Sequence, residues 1–196
     1  MQSLLSIWRE DWQTNRASGL TAFLLLATYR LGHHCVTQAR GQTGVRRLPY
    51  RLLAKLLRLP YVALCHSFGC FIPWSAAIGR RVLFKHAFYG VFISQRAVIG
   101  DEVTIFHHVT LGSTDETSGN PGAPTIGNGV LIGAGAMVIG NVRVGDGARI
   151  GANATAVKDV AAQTTVVSAP ARVIGQPSDP VAPCGEDTSG NGQGSV

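Results

Sequence analysis

The sequence has few charged residues and lacks the marks of several common protein classes. Charged residues make up 14% of the 196 and hydrophobic residues 45%, so the chain can bury a core and is not disordered as a whole. The four cysteines (Cys35, Cys65, Cys70 and Cys184) form no Cys-x-x-Cys pair. The N-terminus lacks the basic start and apolar core of a cleavable signal peptide. We therefore expect reduced thiols and a cytoplasmic protein.

Long apolar runs and a complete dinucleotide fingerprint are also missing. The longest apolar run, residues 20–29, is shorter than the roughly 20 residues that span a bilayer. Fragments such as Gly127-x-Gly129 and Gly145-x-Gly147 resemble phosphate loops, but none completes Gly-x-Gly-x-x-Gly. The sequence therefore favours neither a membrane-spanning protein nor a dinucleotide-binding fold.

Positive charge is abundant and concentrated in the first half of the chain. The net charge is +6, and one stretch holds Arg30, Arg40, Arg46, Arg47, Arg51, Lys55, Arg58, Arg80 and Arg81. Such a stretch can be the solvated face of helices, or it can bind a phosphate-bearing ligand or an anionic membrane surface. No nucleic-acid-binding motif accompanies the charge, so we expect no nucleic-acid partner. Peripheral contact with the inner face of a membrane stays open.

Three regions differ in pattern. Residues 1–70 are predicted to be helical, because apolar residues recur at three- and four-residue steps in two runs. The first run extends from Ile7 to Leu31, and the second from about Tyr50 to Cys65, punctuated by Pro49 and Pro60. Residues 71–175 form a repeat domain, and residues 176–196 lack apolar periodicity and are predicted to be a disordered tail.

The repeat domain has a period of six residues. Aliphatic or aromatic residues open hexads at Ile78, Phe84, Ile93, Ile99, Ile105, Leu111, Ile126, Ile132, Val138, Val144, Ile150 and Ala156. Glycine follows many of them and permits a tight corner. This period fits a triangular solenoid in which three hexads make a coil of about 18 residues and the opening residue points inward.

The period breaks in two places. Phe84 and Ile93 are 9 residues apart, and Leu111 and Ile126 are 15 apart. The second insert is polar and rich in glycine and proline, so we expect an exposed loop there. Loops on a rigid repeat scaffold commonly carry function.

Two histidines occupy equivalent places in the repeat. His86 and His107 are each the third residue of a hexad, and the two hexads are one coil apart. We therefore expect the side chains to stack at about 5 Å, provided that a bulge around Phe88, Tyr89 and Gly90 absorbs the three extra residues. A pair of this kind could remove a hydroxyl proton and stabilise an oxyanion during acyl transfer.

Less specific interpretations of the histidines are packing or solvent exposure. Zinc binding by three histidines is a rival, but His108 directly follows His107 and should point to the opposite face of a strand. We therefore expect no metal.

The ordered motifs resemble the serine acetyltransferase group of hexapeptide acyltransferases, and most closely its exopolysaccharide branch, which includes the colanic acid acetyltransferases. The similarity covers the WREDW…YRLGHHC segment, AAIGRRVLFKHAFYGVFI, AVIGDEVTIFHHVTLG, the long glycine-rich repeat that follows, and SAPARVIG. The resemblance implies a mainly β fold: a left-handed parallel β-helix with an N-terminal α-helical region. It also implies a homotrimer and acetyl-CoA as donor.

The resemblance also assigns roles to residues. By this resemblance His86 is the catalytic base and His107 assists it. It places acetyl-CoA in a groove between subunits lined by Gly112, Ala134 and Ala152. Lys158 and Arg172 would meet the phosphates of CoA.

Three departures bear on the acceptor. Lys85 stands where serine acetyltransferases have an acid before the catalytic histidine, Phe71 aligns with their aspartate, and Ala123 lies near their second histidine. The positive charge of a lysine would repel the ammonium group of serine. The sequence therefore favours a sugar hydroxyl, free or lipid-linked, in exopolysaccharide synthesis.

Two alternatives remain open. Serine is the acceptor of the first, with Asp115 or Glu116 from the inserted loop meeting its ammonium. The second is a non-catalytic structural trimer.

Overall fold

Three helices open the computed structural model, which describes residues 3–115, 117, 119 and 121–170. They are α1 (Leu4–Asn15), α2 (Gly19–Gly41) and α3 (Leu48–Ser67), with 3-10 turns at Arg16–Ser18 and Gly44–Arg47. Arg172 and the predicted tail, 176–196, lie outside the described residues.

The helical run predicted from Ile7 to Leu31 is divided between α1 and α2, and Gly19 at the start of α2 adopts a φ of 85° that favours glycine. One expectation about the helices is wrong. Pro60 does not punctuate α3 but lies inside it. Its ring is exposed, which spares the packed side of the helix the steric conflict that proline introduces.

Short parallel strands form three sheets that wind around a common core. One sheet holds β1 (Ala77–Ile78), β4 (Val98–Ile99), β7 (Thr125–Ile126) and β10 (Arg143–Val144). A second holds β2 (Leu83–Phe84), β5 (Thr104–Ile105), β8 (Leu131–Ile132), β11 (Arg149–Ile150) and β13 (Thr165–Val166). The third holds β3 (Phe92–Ile93), β6 (Thr110–Gly112), β9 (Met137–Ile139) and β12 (Thr155–Ala156).

Strand register confirms the predicted coil. Arg143 pairs with Thr125 and Phe92 with Thr110, so one turn of the solenoid takes 18 residues where the repeat is uninterrupted. The two breaks lengthen a turn without changing which residues pair. Leu83 therefore pairs with Thr104 across the first break, and Thr104 pairs with Leu131 across the second.

The core consists of the residues that open the hexads. From Ile78 to Ala156 all of them are buried, as are the small residues four positions later, such as Val103, Ala136 and Ala148. Burying each large aliphatic side chain contributes roughly 1.5–3 kcal/mol. The predicted inward direction of these residues is confirmed.

The helical region packs against the first coil through specific contacts. The Tyr29 hydroxyl donates to the Ala76 carbonyl at 2.7 Å, and Gly32 lies against the Trp74 ring, which a side chain at Gly32 would overlap. Among the described residues, no helix has both the length and the apolar character needed to cross a bilayer.

Candidate active site

One corner of the solenoid brings together four of the residues singled out by sequence. Strands β2, β5, β8 and β11 are neighbours in one sheet, and each leads into a turn. Their register places His86, His107, Ala134 and Ala152 at equivalent positions in successive coils. We call these four residues the corner column.

Backbone hydrogen bonds tie the turns of the corner column together. The Gly135 amide donates to the His107 carbonyl at 3.1 Å, and the Asn153 amide donates to the Ala134 carbonyl at 2.8 Å. Successive members therefore lie about 5 Å apart, the spacing of neighbouring strands. Two members of the column have imidazole side chains and the other two have methyl groups. The side chains therefore project less at Ala134 and Ala152 than at the histidines.

The two histidines are in direct contact. Their ring centroids are 5.2 Å apart with an interplanar angle of 30°, and Nδ1 of His86 lies 3.2 Å from Nδ1 of His107. His86 is exposed and His107 is half-buried. Because one Nδ1 must donate and the other accept, two neutral rings in this contact are opposite tautomers. Each ring keeps its Nε2 free for other partners.

The three extra residues after β2 form a turn that leaves the register intact. His86, Ala87 and Gly90 have φ values of 59°, 59° and 65°, so the turn begins earlier than the bulge expected around Phe88, Tyr89 and Gly90. Phe88 anchors it, because its ring is buried 4.2 Å from that of Phe84. Left-handed backbone at His86 is uncommon for a residue with a side chain and commonly marks functional sites.

His108 does not point to the opposite face from His107, contrary to expectation. Both residues lie in a corner rather than a strand, and His108 has a φ of 56°. Its ring therefore lies 5.4 Å from that of His107, edge to face. It also fills the space over Gly90, where an added Cβ would be 2.1 Å from Nδ1 of His108.

The end of α1 fixes the strand that carries His86, a feature that sequence reasoning missed. The Asn15 side chain donates to the Val82 carbonyl and accepts from the Phe84 amide, both at 2.9 Å. Ser18 donates to the Phe84 carbonyl at 3.0 Å. Strand β2 is the edge of its sheet. The side chains of Asn15 and Ser18 therefore form the hydrogen bonds that a neighbouring strand would otherwise provide to its backbone.

The other predicted site residues do not belong to the corner column. Lys85 is exposed next to His86. Gly112 ends β6 and Lys158 follows β12, so both belong to a different corner. Asp115 is exposed in the loop that leaves the solenoid there and accepts from the Thr117 amide and hydroxyl. Glu116 and Arg172 lie outside the described residues.

The inserted loop is closed at its base. Thr114 and Gly122 form an antiparallel bridge with hydrogen bonds in both directions, at 2.9 and 3.2 Å. Within the described part of the chain, no three or more His, Cys, Asp or Glu residues are grouped so that they could hold a metal ion.

Comparisons with known proteins agree on one group. Residues 123–156 match the family described as bacterial transferase hexapeptide (six repeats). Serine acetyltransferase of Salmonella typhimurium is 39% identical over 158 residues, which are 81% of this chain and 52% of that protein. The chain thus spans about half the length of the curated relatives it matches.

Solved structures are similar to a larger share of the chain. Soybean serine acetyltransferase complexed with serine has a TM-score of 0.68 and 36% identity, covering 88% of this chain and 70% of that one. A serine acetyltransferase in complex with CoA has a TM-score of 0.66 and 28% identity, covering 88% and 70%. The fold is therefore the left-handed parallel β-helix predicted from the sequence.

The relatives also correct one prediction. Assignment to the exopolysaccharide branch, with a sugar hydroxyl as acceptor, is wrong, because these relatives are serine acetyltransferases. That prediction rested on the likeness of the motifs and on the departures at Lys85, Phe71 and Ala123, which proved weaker indicators than similarity over most of the chain. The chain belongs to the serine acetyltransferase group of hexapeptide-repeat acyltransferases.

Proposed function

We propose that this protein transfers the acetyl group of acetyl-CoA to the hydroxyl of L-serine, a reaction that serves cysteine biosynthesis. The observation that carries the proposal is the contact between Nδ1 of His86 and Nδ1 of His107 at 3.2 Å. It lies on a solenoid corner in a chain that resembles a serine acetyltransferase bound to serine.

The contact suits the proton transfers of this reaction. If Nδ1–H of His86 donates to Nδ1 of His107, Nε2 of His86 keeps a lone pair and Nε2 of His107 keeps a proton. Nε2 of His86 then takes the serine hydroxyl proton as the oxygen attacks the thioester carbonyl. Nε2–H of His107 stabilises the oxyanion. Collapse of the intermediate breaks the C–S bond, and the protonated His86 returns the proton to the CoA thiolate.

The corner column supports a position for the donor. Ala134 and Ala152 continue the column beyond the histidines with small side chains, which leaves room for an extended molecule. A relative of the same fold is solved with CoA. Gly112 and Lys158 lie at another corner, so we propose a homotrimer in which acetyl-CoA runs between the two kinds of corner on adjacent subunits. Lys158 and Arg172 then meet its phosphates.

Serine needs partners for both of its charged ends. Lys85 is exposed beside His86, and its ammonium suits the carboxylate of serine. Asp115 and Glu116 are our candidates for the serine ammonium, supplied by the inserted loop. The cytoplasmic location stays a prediction.

Turnover of acetyl-CoA, followed as free-thiol release, tests the function with L-serine as acceptor. We expect release that depends on serine and falls by about a hundredfold to ten-thousandfold in His86→Ala, because the variant lacks the base. His66→Ala is the matched control, since His66 is an exposed histidine at the end of α3. We expect it to retain wild-type turnover.

Other outcomes separate the alternatives. CoA binding by calorimetry without release from serine would reject serine as the acceptor. A protein with neither CoA binding nor thiol release would be the non-catalytic trimer. Equal turnover in wild type and His86→Ala would remove His86 from the chemistry.

A further inference from the structure

Helix α3 exposes a row of leucines that the fold leaves uncovered. Leu48, Leu52, Leu56 and Leu59 are 61%, 58%, 67% and 79% exposed. Val45, one turn before the helix, is 83% exposed. Scattered apolar residues are normal on a protein surface, whereas a continuous exposed row marks an interaction surface. We call these four leucines the leucine row.

The leucine row occupies one face of the helix. Its members are four, four and three residues apart, the spacing that places side chains on the same side. The buried residues of α3, Tyr61 and Cys65, belong to another face, and α3 packs against α2. The leucine row therefore faces away from the body of the protein.

Basic side chains border the leucine row along one side. Arg51, Lys55 and Arg58 are exposed at spacings of four and three residues, parallel to the leucines. Arg46 and Arg47 are exposed just before the helix. The sequence has no aspartate or glutamate between Asp11 and Asp101, so this side of the molecule carries positive charge without acidic residues from the same segment.

A row of exposed leucines bordered by basic side chains suits one kind of partner best. Two copies meeting symmetrically through this face would bring like charges together. A nucleic acid would pair the arginines but leave the leucines in water. An anionic membrane surface accommodates both, because acyl chains take the leucines and phosphate groups take the arginines and lysine. We propose that α3 docks this protein on anionic lipid, lying in the plane of the membrane interface.

Helix geometry is consistent with that position. From Leu48 to Leu59 the row extends about 16 Å at 1.5 Å per residue. A row of this length enters the headgroup and acyl boundary along one face, whereas crossing the bilayer requires roughly 20 apolar residues.

Co-sedimentation with vesicles of phosphatidylcholine and phosphatidylglycerol (7:3) tests the proposal. We expect wild type to bind these vesicles, to bind pure phosphatidylcholine weakly, and to dissociate as salt rises. Leu52→Glu/Leu56→Glu should weaken binding at least about a hundredfold, since each buried leucine contributes about tenfold or more. Arg51→Gln/Lys55→Gln should weaken it about fivefold for each charge removed.

A second pair of leucines provides the matched control. Leu5 and Leu20 are 71% and 62% exposed but lie on α1 and α2. Leu5→Glu/Leu20→Glu changes the net charge by the same amount and should bind vesicles within twofold of wild type. An equal loss in both double variants would assign the effect to charge alone and overturn the proposal.

Oligomeric state separates lipid from a second copy. Light scattering should give the same mass, that of the proposed trimer, for wild type and Leu52→Glu/Leu56→Glu. A smaller mass for the variant, together with no vesicle binding by wild type, would identify the leucine row as a contact between copies. Circular dichroism checks that the variants are folded, and serine-dependent turnover should be unchanged in Leu52→Glu/Leu56→Glu.

Discussion

At the scale of single residues, substitutions can show which of His86 and His107 donates the hydrogen bond between their Nδ1 atoms. Asparagine places its side-chain amide close to the Nδ1 position of histidine, and glutamine places its amide close to the Nε2 position. If His86 donates its Nδ1 proton, His107→Asn keeps the acceptor for that proton but loses the oxyanion donor. His107→Gln keeps a donor near the oxyanion but loses the acceptor.

We expect both substitutions at His107 to lower kcat, by different routes. His107→Asn should lose about a hundredfold, the effect of removing one oxyanion donor. His107→Gln should lose more, because His86 would then be free to adopt the tautomer that is protonated at Nε2. Steady-state kinetics with L-serine and acetyl-CoA measure the order. The reverse order would mean that the oxyanion donor matters more to the rate than the hydrogen bond that fixes the tautomer of His86.

Sequence spacing predicted the histidine stack because the six-residue repeat converts position into height on the solenoid. His86 and His107 are each the third residue of a hexad, so a turn that absorbs the extra residues leaves them one above the other. The direction of His108 could not be predicted in the same way. It depends on a positive φ at a corner, where the alternation of side chains along a strand no longer applies.

At the scale of elements, the junction between α1 and β2 positions His86, the proposed base. Asn15 is buried and bonds to the backbone on both sides of Leu83, which lies three residues before His86. The hexads themselves were readable from a repeating pattern. The packing of the helices on the solenoid could not be predicted in this way. A single asparagine in a helix does not indicate which strand its side chain contacts.

Replacing Asn15 by alanine tests that positioning role. The change leaves the Phe84 amide and the Val82 carbonyl, at β2, without these partners, so we expect a loss of about 2–3 kcal/mol in the free energy of unfolding. We also expect kcat to fall several-fold at a temperature where the variant is fully folded, with little change in the KM for acetyl-CoA. Ser67→Ala removes an exposed side-chain hydrogen bond on α3 and serves as the control. Full kcat in a folded Asn15→Ala protein would reduce Asn15 to a structural role.

At the scale of the whole molecule, one buried ion pair joins the helical region to the solenoid. Arg30 of α2 bonds to both carboxylate oxygens of Asp11 in α1, at 2.9 and 3.2 Å. It also donates to the carbonyls of Ile78 and Gly79 in the first coil. Burial raises the pKa of the Asp11 carboxyl above its ordinary value, since lost hydration outweighs the attraction of Arg30. The net gain from the pair is therefore small, although losing one partner is costly.

Asp11→Ala leaves the Arg30 guanidinium buried with no carboxylate, and we expect unfolding to become easier by about 3–5 kcal/mol. The exposed pair of Arg81 and Glu102, 2.7 Å apart, provides the contrast. Glu102→Ala should cost far less than Asp11→Ala, because water already screens that pair. Urea unfolding followed by circular dichroism, which reports the helices, and by hydrogen exchange of the solenoid amides measures both variants. Because Arg30 also holds the first coil, the two signals should shift together in Asp11→Ala. A shift confined to the helical signal would show that the solenoid folds without the helices packed against it.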